Sequence, residues 1–356
     1  MSPARRSSST AASSAGSSEM RLRLTPARLA GLDVGLLLVT GVALYIAPSN
    51  DYLLLPDPAH PVAPLVDVQG GHDPTRKGGV WFVDVFERRA SELESLFPWI
   101  HSQATLVPAK LIVPPGTSDQ AVRQADLREM SISQQVAAAV ALRRLGYHVV
   151  VKSDGVIVNV VELHSNAAGK LQPADVIVSV NGTPTPTIAK LRAVLKDAKV
   201  GQVIHLTVRR GSKQLSYAIR AVADPLQPDH AIVGFTPEQS AKITLPIRVS
   251  IDAGNVGGPS AGLAFALEVM EELGNDVTRG YRVAATGEMQ LDGTVAPIGG
   301  VKQKTYGARD AKADVFLVPA GENAAEARRY AGSLRIIPVK SFPQALRALA
   351  TLPRKG

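Results

Sequence analysis

The chain has 356 residues, a net charge of +8 and no cysteine. The missing cysteines exclude a disulfide framework, thiol catalysis and cysteine-ligated metals. Four of the eight net positive charges fall in the first 28 residues, and the rest are dispersed with no basic stripe interleaved with aromatics, which argues against nucleic-acid binding.

In chain order, residues 1–28 form a Ser/Ala-rich basic tail that reads as disordered. Leu29 to Ala47 is apolar apart from Asp33 and Thr40, and nineteen residues at 1.5 Å rise span roughly 28 Å. The expectation is a single transmembrane helix, with a cleaved signal peptide as the rival. Arg21, Arg23 and Arg28 flank its N-terminal side only, so the expected topology is a cytoplasmic tail with every later domain extracytoplasmic. Residues 48–149 read as an α/β scaffold without a chemical motif. It contains a strand at Val80–Val85, a helix-like stretch at Leu93–Ile100 and an amphipathic helix at Ile132–Leu145 that stops at Gly146.

Residues 150–223 read as a strand through Gly155–Val161, a small-residue turn around Ser165–Leu171 and a strand ending in Asn181-Gly182. A helix near Ile188–Asp197 and two strands, Val203–Arg209 and Leu215–Ala221, complete the unit. This order resembles a PDZ domain, although the usual Gly-Leu-Gly-Phe carboxylate loop is not visible. The resemblance implies capture of extended peptide segments at a sheet edge; a mere spacer is the plainer alternative. Residues 224–230 read as a linker into a domain at 231–350.

That last domain holds the chemistry. Gly257-Gly258-Pro259-Ser260-Ala261-Gly262 is a small-residue turn opening into an apolar helix, with Leu263, Ala266, Leu267 and Met270 at helical spacing. Glu268, Glu271 and Glu272 take its polar side, and Gly274 stops it. Free N–H groups at this helix start are the expected donors to an oxyanion. Gly258 permits close approach of a substrate chain and Pro259 sets the entry into the helix. All seven histidines precede residue 231, so a serine nucleophile here calls for another base. Lys304 is the candidate, placed in the first turn of a helix starting near Gly300. The helix dipole and the apolar neighbours Val295, Ile298 and Val301 favour its neutral amine. Lys302 is the runner-up. Thr286, at the end of the buried strand Val283–Ala285, is a supporting hydroxyl expected to bond the lysine amine.

Three ordered words, Gly258-Pro259-Ser260-Ala261-Gly262, Thr286-Gly287-Glu288 and Pro297-Ile298-Gly299-Gly300-Val301-Lys302-Gln303-Lys304, resemble the proteolytic domain of the Lon family. The resemblance covers about residues 230–345. It implies an α/β (α+β) Lon-type proteolytic fold with Ser260 as nucleophile and Lys304 as base. The chain departs from the pattern just before the serine, where Asn255-Val256-Gly257 replaces the usual acidic residue. No Gly-x-x-x-x-Gly-Lys-Ser/Thr phosphate loop occurs in the sequence. The order of anchor, PDZ-like module and Lon-like domain resembles the bacterial membrane-anchored PDZ-containing Lon-like proteases. The expected function is therefore ATP-independent cleavage of unfolded or exposed segments of envelope or secreted proteins, without cofactor or metal. The alternative is a non-catalytic, membrane-tethered PDZ adaptor. Self-association into a homo-oligomer stays open.

Overall fold

A computed structural model of the chain describes residues 26–72, 78–113, 118–163, 165–224, 227 and 230–355. The tail read at residues 1–28 lies outside the described residues as far as position 25. The segment expected to span a membrane is helical, Pro26–Ile46. Among the described residues, however, no helix is long and apolar enough to cross a membrane. Asp33 interrupts the apolar stretch, and the uncharged run after it, Val34–Ile46, reaches only about 20 Å against a hydrocarbon core of about 30 Å. The fold-class expectation of one N-terminal transmembrane helix is corrected accordingly. The helix instead leads directly into the N-terminal sheet, where the Ala47 carbonyl accepts the Glu92 N–H at 2.9 Å.

The central sheet has five strands in the order His60–Pro61, Gly79–Phe82, Arg282–Ala285, Val315–Pro319 and Arg335–Val339. The last four run parallel, with Phe82 opposite Ala285 and Ala285 opposite Leu317. Both faces of a parallel sheet need cover, which explains the continuous apolar runs of its strands. Side chains alternate between two cores. Val283, Ala285, Val315 and Leu317 face the helix Gly262–Glu272 and the helix Asp119–Arg144. Ala284, Phe316 and Val318 face the helices Val301–Asp310 and Glu322–Tyr330. The turn that carries Ser260 therefore enters from one side of the sheet and the helix that carries Lys304 covers the other.

Residues read as a separate scaffold are woven into this core. The apolar run at Val80–Val85 divides into Gly79–Phe82, which joins the central sheet, and Val85–Ser91, which pairs with Pro48–Pro56 in a three-stranded sheet completed by Thr105–Pro108. Val66–Val68 pairs with Val249–Ile251 just before the serine turn. The helix placed at Ile132–Leu145 starts thirteen residues earlier, at Asp119, where the Ser118 hydroxyl accepts the Ala121 N–H at 3.2 Å. The three glutamates assigned to a polar helix face are all buried, with Glu268 only 1% exposed. Part of the reason is that the chain returns over that side, where Glu271 accepts the Thr278 N–H at 2.7 Å.

The second sheet runs Lys213–Arg220, Val203–Arg210, Val176–Val180, Val150–Val161 and Phe235–Thr244, with Thr183–Pro184 added to Val176–Val180. Its core includes Val156, Val158, Ile177, Leu191, Ile204, Leu206 and Ile219. The helix Ile188–Leu195 is capped by Thr187 and packs on the strands Val150–Val161 and Phe235–Thr244. Phe235–Thr244, the edge strand on that side, runs on through residues 245–248 to the serine domain.

Candidate active site

Ser260 sits in a turn just before the helix Gly262–Glu272, at the end of the sheet from which the parallel strands emerge at their C-termini. This is where a crevice forms in α/β sheets, because the flanking helices and loops diverge there. Gly258, at φ +84°, occupies the left-handed region that a residue with a Cβ rarely adopts. Its N–H donates to the Asp126 carbonyl at 2.8 Å. The Pro259 carbonyl accepts the Ser133 hydroxyl at 2.9 Å, and Arg123 donates to the Asn255 carbonyl. The turn is thus clamped by the helix Asp119–Arg144. None of these three clamping residues was legible in the sequence, because their partners lie more than 120 positions away.

Lys304 approaches from the other core. Gly300, at φ +68°, starts its helix, and the Gly300 carbonyl accepts the Lys304 N–H at 2.9 Å. The Lys304 Nζ lies 2.6 Å from the Ser260 Oγ. Lys304 is buried, 5% exposed, and desolvation lowers its pKa to about 8, opposed by the charge of Asp84. Lys302 is excluded from this contact: its Nζ donates to the carbonyls of Ala104 at 2.7 Å and Ser102 at 3.3 Å. Thr286 is fully buried, but its hydroxyl donates to the Ser260 carbonyl at 3.1 Å rather than bonding the lysine amine. The Gly287 N–H reaches the same carbonyl at 2.8 Å. Thr286 therefore fixes the serine main chain.

The expected helix-start donors are engaged within the fold. The Gly262 N–H goes to Pro259 and the Leu263 N–H to Gly287. Ser260 and Lys304 line an open cavity of about 670 Å³, walled by Asp57 and Asp84 on one side and Asn255, Val256 and Gly257 on another. Behind the serine turn, Glu129, Glu238 and Glu288 converge on Pro259 around a gap of about 50 Å³. Burial pushes Glu129 up to about 8, with the charges of Asp126 and Glu288 adding to it. Burial and then Glu238 push Glu288 up to about 7, and burial raises Glu238 as well.

With this geometry in place, the similarities to known proteins fall into two blocks. Residues 218–350 match the Lon protease (S16) C-terminal proteolytic domain, and residues 144–220 match a PDZ domain. The chain is 33% identical over 124 residues to Lon protease 1 of Sorangium cellulosum, and 35% identical over 126 residues to the Lon protease of Chloroflexus aggregans. Those matches cover 35% and 34% of this chain but only 14% and 15% of the relatives' own length. The PDZ domain of an SdrC-like protein from Listeria monocytogenes matches over 24% of this chain and 87% of its own, at 25% identity and a TM-score of 0.22. The chain carries a Lon-type C-terminal proteolytic domain and a PDZ domain.

Proposed function

We propose that the chain is a serine endopeptidase in which Ser260 is the nucleophile and Lys304 the general base. The observation that carries this reading is the 2.6 Å contact between the Lys304 Nζ and the Ser260 Oγ, made by a buried lysine whose pKa is lowered to about 8. At pH 7 about one molecule in ten then holds the neutral amine, a far larger fraction than an exposed lysine at about 10.4 provides. The Oγ attacks the substrate carbonyl while its proton passes to the lysine amine, and the carbonyl π pair moves onto the oxygen. Among the described residues, the N–H groups of Gly257, Ser260 and Ala261 make no backbone hydrogen bond on this turn, and those of Ser260 and Ala261, at the nucleophile itself, are the donors proposed for that oxyanion. The ammonium then returns its proton to the leaving amine, and water resolves the acyl-enzyme.

Extended, unfolded or exposed protein segments suit the open cavity and the PDZ domain beside it. Pro237–Ile243 of the edge strand lines a cavity of about 1000 Å³, shared with the helix Asp119–Arg144 and the turn at Met289–Asp292. A peptide docked on that edge is held against the catalytic domain itself.

The test is hydrolysis of an unfolded protein in nucleotide-free buffer by the full chain. Wild type should cleave it, and folded Ser260→Ala and Lys304→Arg should each lose at least about a thousandfold in kcat, since guanidinium does not deprotonate in the working range. Lys302→Arg should stay within about threefold of wild type. Undiminished turnover by a folded Ser260→Ala chain would defeat the nucleophile assignment.

A further inference from the structure

Asp84 is not part of the three motif words, yet it lies on the wall of the cavity that Ser260 and Lys304 share. It reaches that place by topology. Phe82 ends a strand parallel to Arg282–Ala285, with Phe82 opposite Ala285, so Asp84 and Thr286 leave neighbouring strands at the same edge of the sheet. The intervening Val83 is buried in the core that also holds Val301, on the helix of Lys304. That helix is pinned to the segment before His60: the Gly307 carbonyl accepts the Ala59 N–H at 3.2 Å, and a Cβ at Gly307 would overlap the Asp57 carbonyl oxygen. The lysine helix and the acidic wall are thereby held as one piece.

Among the described residues, nothing donates a hydrogen bond to the buried Oδ1 of Asp84. The His60 Nε2 lies 3.9 Å from that oxygen and 3.2 Å from the Asp57 carboxylate. A buried carboxylate oxygen without a donor is costly unless a charge or donor arrives. Acylation creates such a charge, because Lys304, itself only 5% exposed, leaves that step as an ammonium. Asp57, Glu87, Asp119, Arg123 and Asp126 line the rest of the cavity. Among the described residues, Asp84 is the charged group whose field opposes desolvation at Lys304.

We propose that Asp84 is a positioning residue of the dyad, a counter-charge that holds the Lys304 ammonium after it has taken the proton of Ser260. The proposal rests on the serine-lysine reading for its catalytic consequence, but the coupling between Asp84 and Lys304 is testable without any hydrolysis. Asp84 itself is kept from ionising too readily by burial and by Asp57, and His60 works in the opposite direction. An isosteric neutral replacement therefore removes the counter-charge with little change in shape.

In a full chain carrying Ser260→Ala, the amine of Lys304 is labelled with limiting acetic anhydride at a series of pH values and followed by peptide mass spectrometry. Adding Asp84→Asn should lower the labelling midpoint by about one pH unit or more, since an adjacent anion favours the charged lysine. Asp84→Ser should do the same, and Asp84→Glu should leave the midpoint within about half a unit. With Ser260 intact, Asp84→Asn should shift the acid limb of kcat down by the same amount and lower the plateau about tenfold with KM unchanged. A merely structural residue would lower activity without moving the limb. An unmoved midpoint in folded Asp84→Asn and Asp84→Ser chains overturns the proposal even if hydrolysis is intact. A wild-type chain that hydrolyses nothing, with the midpoint moving as stated, instead overturns the protease reading and leaves the coupling standing.

Discussion

The catalytic core and the PDZ core bury the same kinds of residue but draw them from the chain in different ways. The PDZ cluster closes within residues 156–235, whereas the cluster beneath the serine turn runs from Val62 to Leu352. In the first, strand, turn, strand and helix follow one another and pack on their neighbours. In the second, a strand from near residue 80 must insert beside one from near residue 283 before the sheet is complete. A contiguous unit can be exchanged or lost with modest damage elsewhere. A discontinuous one makes the nucleophile depend on residues almost two hundred positions away, and it places the PDZ strand Phe235–Thr244 directly upstream of the serine turn.

The largest expected effect follows from that dependence. Phe82 is 3% exposed, and its ring centroid lies 6.3 Å from that of Phe265 on the serine helix. Phe82→Ala should destabilise the catalytic core by about 3–5 kcal/mol, read as a lower urea midpoint of that domain together with lost hydrolysis. If Phe82→Ala leaves the catalytic transition in place, the N-terminal strand is an accessory and the comparison breaks. Leu206, 1% exposed in the PDZ core, gives the counterpart. Leu206→Ala should cost about 2–5 kcal/mol in the PDZ transition, while hydrolysis of a short unstructured peptide stays within about twofold. Equal loss of short-peptide hydrolysis in both variants would show that the two cores melt as one unit.

This contrast also explains what was legible in the sequence. Ser260, Thr286 and Lys304 sit in local words of glycine, proline and β-branched residues, and the structure brings all three to one sheet edge. Asp84, Asp126 and Ser133 carry no such mark, because their roles arise from packing across more than 120 positions. The run from Val80 to Val85 has no glycine or proline to signal its division between two sheets. Glu268, Glu271 and Glu272 show helical polar periodicity, but the chain's return over that face buries them. In sequence Phe235–Thr244 falls in the domain read at 231–350, whereas the strand pairs with Val150–Val161 of the PDZ sheet through a register that no local residue announces.

The smallest expected effect concerns the seam between the two regions, where Glu238 of the PDZ sheet meets Glu129 and Glu288 behind Pro259. Their folded-state pKa values lie above the ordinary 4.5, at about 8 for Glu129 and about 7 for Glu288. The folded chain then binds more protons than the unfolded chain between those limits. Its stability is fully present below about pH 4.5 and is lost as pH rises through about 7 to 8. Burial of neutral carboxyls allows the seam to close, and ionisation sets like charges against one another in a space too small for bulk water. Glu129→Gln removes the group with the higher of the two values and one partner of the repulsion. Relative to wild type, it should leave stability at pH 5 nearly unchanged and raise it at pH 8.5 by about 1 kcal/mol, roughly 2–4 °C in Tm for a domain of this size. Thermal melts of the two chains at both pH values check this. Parallel pH dependence in wild type and Glu129→Gln would mean that Glu129 is already ionised and solvated, and that the seam between the PDZ strand and the serine turn is open rather than packed.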